Sequence, residues 1–196
     1  MIIGQVPTDV SESTKARIFS PYWPWFMCSH TTEYNPEYND SIRDELSGED
    51  PQFMHTVMDN QGEMRSENAY EQGCQQVWEW ILNDSEIFEE FSDAEFNKLR
   101  RIKMNLLTRK ETKHLYHTPH VDFDRPHWTL IYYVNDSDGG TYFFKQKYNG
   151  TRQKLEIDKV VEPRQGRFVL FDGLTYHTSS NPQYHDTRCV INFNFV

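Results

Sequence analysis

The chain of 196 residues is long enough for one well-buried domain and short for two. Aromatic residues form 15% of it and charged residues 26%, which excludes an intrinsically disordered class and indicates a packed core. The formal net charge of −10 argues against a nucleic-acid partner, because a phosphate backbone would be repelled overall.

The cysteines argue against a disulfide or zinc scaffold. Cys28, Cys74 and Cys189 are odd in number, far apart and without a CxxC spacing, and this usage favours a reducing compartment. The first ten residues lack the basic and apolar regions of a signal peptide, and no apolar stretch approaches membrane length. We therefore expect a cytoplasmic protein that has no membrane partner.

The sequence changes character near residue 105, from irregular or helical patterns to strand-like ones. No Gly/Ser-rich or Pro-rich linker marks this change. We therefore predict a single domain over 1–196. In it, residues 1–104 form a loop-rich and helical support region, and residues 105–196 form the core that carries the site.

The support region begins with few regular patterns. Residues 20–65 are rich in Asp, Glu, Asn and Gly, which predicts a loop-rich segment that could serve as a lid or an edge. Between Ala69 and Leu82 the apolar residues recur at steps of three and four. This spacing predicts one amphipathic helix.

A second helix is predicted further along the support region. Ser92 and Glu95 have the spacing of a capping box, and the helix after them would bury Phe96, Leu99 and Ile102. Its solvated face would then carry a basic cluster, formed by Arg100, Arg101 and Lys103.

The remainder of the chain consists of short strands separated by turns. Residues 128–134 are β-branched and aromatic, a turn cluster follows at 135–140, and the strand pattern resumes at 141–148, which predicts a hairpin. After Asn149-Gly150, further strands are predicted at 167–171, 175–180 and 188–196. Such a series without intervening helices indicates a sandwich or jelly roll.

Three side chains in this region have the types and spacing of a metal site. Residues two apart in an extended backbone point to the same side, so His120 and Asp122 can converge on one ion. His177 lies on a later strand that a jelly roll can return beside this pair. Two imidazoles and one carboxylate form the facial triad of non-haem iron(II) oxygenases, which leaves positions open for other ligands.

A lone His-x-Asp pair is a weak signal in a chain with eight histidines. Any single histidine can equally be a surface residue or a hydrogen-bonded core residue. His117 and His127 are interpreted in this way, or as residues that support the ligands.

Arg188 strengthens the interpretation as an oxygenase site. It begins the last predicted strand, whose one face is apolar and whose other face carries Arg188, Val190, Asn192 and Asn194. An Arg inside a small barrel needs an anionic partner, and its planar fork suits a carboxylate. The alternative is an Arg at the rim, paired with Asp172 or Asp186.

Taken together, these segments resemble the prolyl-hydroxylase-like branch of the 2-oxoglutarate/Fe(II)-dependent dioxygenases. The matching segments are HVD at 120–122, IYYVN followed by GGTYFF within 131–144, PRQGRFVLFDGLTYHTS at 163–179, and Arg188 before the closing strand. They cover nearly half of the chain in the order typical of the family, whereas the first hundred residues match loosely.

The resemblance implies a mainly β fold with supporting α-helices around a double-stranded β-helix, the cupin-like form of the jelly roll. It implies that His120, Asp122 and His177 bind Fe(II). Arg188 would bind the distal carboxylate of 2-oxoglutarate with Tyr133, while Tyr132 would be a core residue. Asn105 lies on the strand that lines the co-substrate pocket in the family.

The implied reaction hydroxylates a C–H bond with O2 and 2-oxoglutarate, giving succinate and CO2 as co-products, with ascorbate as an optional reductant. Peptidyl proline, in a peptide or protein, is one expected substrate. Seven acidic residues of the loop-rich segment would then attract basic flanks of that substrate, namely Glu33, Glu37, Asp40, Asp44, Glu45, Glu49 and Asp50. A free amino acid or another small molecule is an alternative substrate. A non-catalytic, cupin-like metal-binding module is an alternative function, and a metal-dependent hydrolase is the least favoured one.

Overall fold

The computed structural model describes residues 1–29, 51–83, 98–111 and 114–196. The N-terminal strands are β1 (Ile2–Gln5), β2 (Phe26–Cys28) and β3 (Gln52–Met58). The later strands are β4 (Leu99–Thr108), β5 (Trp128–Tyr133), β6 (Thr141–Lys147), β7 (Ile157–Val161), β8 (Arg167–Asp172), β9 (Thr175–Ser179) and β10 (Thr187–Phe195). The helices are α1 (Thr8–Ile18), α2 (Glu67–Ala69) and α3 (Gln75–Leu82), with a π-helical turn at Tyr70–Cys74 between α2 and α3.

These strands form two antiparallel sheets. The larger has the order β1-β8-β5-β10-β4-β3-β2, and the smaller has the order β7-β6-β9. The chain passes from one sheet to the other after β5, β7, β8 and β9. This is the jelly-roll arrangement expected from the sequence, with strands contributed also by the N-terminal region.

The large sheet is covered on both sides, by the helices on one face and by the small sheet on the other. Cys189, Ile191 and Phe193 of β10 belong to an outer core with the helices, in which Trp78 of α3 stacks on Phe193 with ring centroids 5.3 Å apart. The alternate residue Val190 belongs to a separate inner core between the sheets. The two-residue period of β10 therefore directs Arg188 and the asparagines of this strand to the inner side.

The predicted helix over 69–82 is confirmed as the continuous run from α2 to α3. It buries Cys74, Val77 and Ile81. No helix in the described ranges is long and apolar enough to cross a membrane.

The second predicted helix is wrong where the structure describes it. Ser92, Glu95 and Phe96 lie outside the described residues, but Leu99 and Ile102 belong to β4, paired with β3 and β10. The three-residue spacing of apolar side chains gave a helical signal. The segment forms a strand instead because β3 and β10 pair with its backbone on both sides. Strand β4 also runs through the predicted regional boundary at 104/105.

The segment at 20–65, predicted as loop-rich, contains the strands β2 and β3 in its described part. The rest of it, residues 30–50, lies outside the described residues and includes all seven acidic residues considered above.

The predicted hairpin between 128–134 and 141–148 is also wrong. β5 pairs with β10 and β8 in the large sheet, whereas β6 pairs with β7 and β9 in the small one. The turn cluster is a crossover between sheets, held by Asn135, which accepts from the Cys189 backbone at 2.8 Å and donates to the Thr187 carbonyl at 3.0 Å. Turn-forming residues alone do not distinguish a hairpin from such a crossover.

Candidate active site

The two candidate histidine ligands are brought together by backbone pairing between the strand β9 and a preceding loop. His120 and His177 exchange two backbone hydrogen bonds, each with an N···O distance of 3.0 Å. Their rings consequently lie side by side, with centroids 4.8 Å apart. The pairing explains how residues far apart in sequence reach one site.

Each imidazole is held in the form that binds metals. Nδ1 of His120 donates to the Thr118 carbonyl at 3.2 Å, and Nδ1 of His177 donates to the Thr175 carbonyl at 3.1 Å. A donor at Nδ1 leaves the lone pair on Nε2. Burial lowers the pKa of His177 to about 4, and it also lowers the pKa of His120, so both rings are neutral near pH 7.

Asp122 completes the group as an ionised carboxylate. Burial raises its pKa, but the charge of Arg101, the electrostatic influence of the two histidines and the hydrogen bond from Asn194 outweigh burial, so that the pKa falls below its ordinary value. Oδ2 of Asp122 accepts from Nδ2 of Asn194 at 2.9 Å and lies 3.9 Å from Nε2 of His177. Oδ1 accepts from Nη2 of Arg101.

These three residues offer donor atoms that lie within 4.8 Å of one another. Two neutral imidazoles and a carboxylate are a donor set suited to Fe(II), with coordination positions left for further ligands. The side chains therefore fit the ion that the sequence predicts. Their role as ligands stays a prediction.

The candidate ligands line a cavity of about 860 Å³ between the sheets. Pockets for drug-sized ligands span roughly 300–1,000 Å³, so this cavity has room for a five-carbon diacid together with part of a second molecule. Arg101 and Lys103 also line it. The sequence placed these two residues on a solvated helix face, and this was wrong because strand β4 directs them inward.

Arg188 lines the same cavity and is 3% exposed. Its Nε donates to the Gly139 carbonyl at 2.7 Å, and its Nη2 donates to Oγ1 of Thr141 at 2.8 Å. Gly139 is required by this packing, since a Cβ there would lie 3.0 Å from Cδ of Arg188 and 2.6 Å from the Ser180 carbonyl oxygen.

The alternative of an Arg188 at the rim does not hold. Asp172 instead pairs with Lys147 at 2.7 Å, and Asp186 pairs with Arg109 at 3.5 Å. No carboxylate among the described residues forms an ion pair with Arg188. A buried cation of this kind is suited to an anionic ligand.

Tyr133 lies beside Arg188, and its contact with a co-substrate stays a prediction. It is fully buried, and its hydroxyl donates to Oγ1 of Thr141 at 2.7 Å. Thr141 lines the cavity, whereas Tyr133 is not among the lining residues. Tyr133 and Arg188 thus both donate to the hydroxyl of Thr141, and Thr141 faces the cavity.

Asn105 lines the cavity as expected, and its Oδ1 is buried with no hydrogen-bond partner in the described part of the chain. Tyr132 points to the outer core. His117 and His127 are not part of the donor group. Nδ1 of His117 lies 3.0 Å from Oγ of Ser179, and Nδ1 of His127 lies 2.8 Å from the Arg125 carbonyl.

Sequence reasoning missed the residues that hold Asp122 and the cavity threonine. Asn194 was recognisable on the inward face of β10, and Thr129 shares a face of β5 with Tyr133. Arg101 could not be assigned, because the helical interpretation of its segment turned it towards solvent. Thr141 carried no signal beyond its position after a turn.

A model of the 2OG-Fe(II) oxygenase superfamily matches residues 107–196. A search of curated protein sequences found no match. Among solved structures, a 2OG-Fe(II) oxygenase family oxidoreductase from Burkholderia pseudomallei shares the fold with a TM-score of 0.57 at 11% identity, over 98% of this chain and 84% of that one.

Two further structures share the fold. A prolyl hydroxylase from Trichoplax adhaerens, in complex with a hypoxia inducible factor peptide fragment, has a TM-score of 0.54 at 12% identity over 99% of this chain and 82% of that one. The alpha-ketoglutarate-dependent epimerase SnoN from nogalamycin biosynthesis has a TM-score of 0.56 at 11% identity over 97% of this chain and 74% of that one.

At such identities the structural likeness shows the fold alone. The matched region contains every candidate metal ligand and the buried Arg188. The family match over residues 107–196 and the shared fold together support a 2OG-Fe(II) oxygenase family for this region, and the fold is prolyl-hydroxylase-like.

Proposed function

We propose that the chain is an Fe(II)- and 2-oxoglutarate-dependent dioxygenase that hydroxylates a C–H bond, with His120, Asp122 and His177 as the metal ligands. The observation that carries the proposal is the shared cavity. It contains three converging donors within 4.8 Å of one another and a buried Arg188 that lacks an ion-pair partner among the described residues.

Different residues of the cavity bind the co-substrate and the metal. Arg188 receives the distal carboxylate of 2-oxoglutarate, and Thr141 adds a hydroxyl that Tyr133 holds in place. Asn105 offers an amide to the same molecule. Iron(II) bound at the three ligands, together with O2 and 2-oxoglutarate, would supply the oxidising chemistry and release succinate and CO2.

The side chains of the chain bind and orient, and none needs to act as a general base. The imidazoles present Nε2 lone pairs because their Nδ1 atoms are hydrogen-bonded to backbone carbonyls. Apolar residues of the inner core, including Ile131 and Val190, line the cavity on the side of the large sheet.

A substrate class is a finer proposal. We favour a peptide that carries proline, because a prolyl hydroxylase that shares this fold forms a complex with a peptide fragment. The acidic residues of the segment 30–50 favour basic flanks on that peptide. SnoN supports the alternative of a small molecule, since the same fold serves an epimerase of nogalamycin biosynthesis.

Succinate formation tests the dioxygenase proposal. Native protein is incubated under air with Fe(II) and 2-oxoglutarate, with and without ascorbate, and compared with His177→Ala and Arg188→Ala. The exposed Arg109→Ala serves as the matched control. Succinate is expected from the native protein and from the control only. Iron binding without succinate, even with pools of peptides and amino acids, would favour a non-catalytic metal-binding module.

Substrate choice is tested by adding proline-containing peptides with basic flanks, with neutral flanks, or free amino acids, and measuring the increase in succinate. The basic peptide is expected to give the largest increase. Equal stimulation by basic and neutral peptides would refute the electrostatic argument, and stimulation by free amino acids alone would favour a small-molecule substrate.

A further inference from the structure

Residues of three neighbouring strands hold the Asp122 carboxylate by contacts to both of its oxygens. Arg101 of β4 and Asn194 of β10 are direct cross-strand partners. Asn194 donates to Oδ2 of Asp122, and Thr129 of β5 lies 3.5 Å from the same oxygen. Arg101 donates to the other oxygen, Oδ1. Each carboxylate oxygen therefore has its own donors, so the plane of the carboxylate is determined by the sheet.

The two oxygens differ in what they face. Oδ2 lies 3.9 Å from Nε2 of His177, on the side where the histidine lone pairs converge. Oδ1 points to the guanidinium of Arg101, whose side chain is 14% exposed and lies over the ring of Phe123 at 5.4 Å. Because Oδ1 is already bound to a guanidinium, a metal that also bound Oδ1 would bring a second cation to the same oxygen.

We propose that Arg101 is a positioning residue that keeps Asp122 a one-oxygen ligand. The inference rests on the proposed function, because it concerns the positions left at the metal. One oxygen from Asp122 and two histidine nitrogens would hold the ion as a facial triad, which leaves coordination positions open for the co-substrates. A second Asp122 oxygen would take one of these open positions.

Arg101→Gln removes the cation and lets Oδ1 turn towards the metal. The test measures 2-oxoglutarate binding to the Mn(II)-loaded protein by titration calorimetry, so that turnover does not interfere. Partners that orient a metal ligand typically contribute about 10–100-fold, and the 2-oxoglutarate Kd is expected to rise at least tenfold. The Mn(II) Kd is expected to stay within threefold of native or to fall, because a two-oxygen ligand binds the ion no less well.

The different responses of the 2-oxoglutarate Kd and the Mn(II) Kd distinguish a positioning role of Arg101 from a structural one. If Arg101 merely assembled the site, Mn(II) and 2-oxoglutarate affinities would fall together, and that result would overturn the inference. An unchanged 2-oxoglutarate Kd would also overturn it. If native Mn(II)-loaded protein fails to bind 2-oxoglutarate at all, the proposed function itself is refuted.

Two variants and a second measurement complete the design. Arg100→Gln changes the neighbouring arginine, which is not among the residues that line the cavity, and is expected to match the native protein. Arg101→Lys keeps the charge without the planar fork and is expected to lie between native and Arg101→Gln. If Arg101→Gln does not fold, Arg101→Lys is measured in its place. The visible spectrum of bound Co(II) without 2-oxoglutarate should differ between Arg101→Gln and native, and identical spectra would contradict the inference.

Discussion

Arg188→Met separates the stability of the fold from the binding of the co-substrate. The native guanidinium is 3% exposed and makes hydrogen bonds to the Gly139 carbonyl and to Thr141, without an ion-pair partner in the described part of the chain. Methionine has a similar length and is apolar. It therefore removes the charge while filling much of the same space.

The substitution is expected to weaken the binding of 2-oxoglutarate without lowering the free energy of unfolding. Removing one partner of a buried, hydrogen-bonded charge pair costs about 2–5 kcal/mol, so the Kd of 2-oxoglutarate should rise roughly 30- to 4,000-fold at 1.4 kcal/mol per tenfold. For the free protein, two lost hydrogen bonds cost about 1 kcal/mol each. Relief from burying an uncompensated ion is worth several kcal/mol. We therefore expect a free energy of unfolding equal to native or about 1–2 kcal/mol higher.

Titration calorimetry of the Mn(II)-loaded protein measures the first effect, and thermal unfolding without 2-oxoglutarate measures the second. A gain of 1–2 kcal/mol corresponds to about 2–8 °C in Tm for a chain of this size. The exposed Arg109→Met is the control and should leave 2-oxoglutarate binding unchanged. A Kd within threefold of native would refute the assignment of Arg188, and a lower Tm would refute the argument about its buried charge.

Three further variants test the surroundings of Arg188. Tyr133→Phe removes the hydrogen bond to Thr141, worth about 0.5–1.5 kcal/mol, so the 2-oxoglutarate KM should rise roughly 2- to 12-fold, and an unchanged KM would exclude this support. Gly139→Ala places a Cβ against Arg188 and should cost about 1–3 kcal/mol of stability, measured by urea unfolding; a native-like midpoint would contradict the packing argument. Asp138 accepts from three backbone N–H groups, those of Gln183, Tyr184 and His185, and from the ring of His185. Burial raises its pKa, but these hydrogen bonds outweigh burial and lower it. A lowered pKa adds stability that is fully present above the unfolded pKa of about 3.9 and is lost as the pH falls through the folded pKa. Asp138→Asn should therefore be less stable than native at pH 7 by about 1–3 kcal/mol, with a difference that narrows below pH 4; a difference independent of pH would contradict the assignment.

The C-terminal core could be predicted well from the sequence because its signals are local. The alternation along β10 separated the apolar Cys189, Ile191 and Phe193 from the inward-facing Arg188, and the structure has this separation. The His-x-Asp spacing and the later His177 likewise depend on strand geometry. The structure brings these three residues together, as the sequence predicted.

The rest depends on pairing between distant segments, which sequence periodicity does not report. Leu99 and Ile102 have helical spacing, yet β4 forms because β3 and β10 pair with it on both sides. The same error turned Arg101 away from Asp122. The turn cluster after β5 was interpreted as a hairpin because its residues suit either a tight turn or a crossover between sheets.

The most direct test of the proposed dioxygenase is the origin of the oxygen in succinate. The native protein is supplied with Fe(II), 2-oxoglutarate and ¹⁸O₂, and the succinate is analysed by mass spectrometry, with His177→Ala as the control. We predict succinate that carries one ¹⁸O atom and depends on Fe(II) and His177. Unlabelled succinate, or succinate formed equally by His177→Ala, would contradict the proposal.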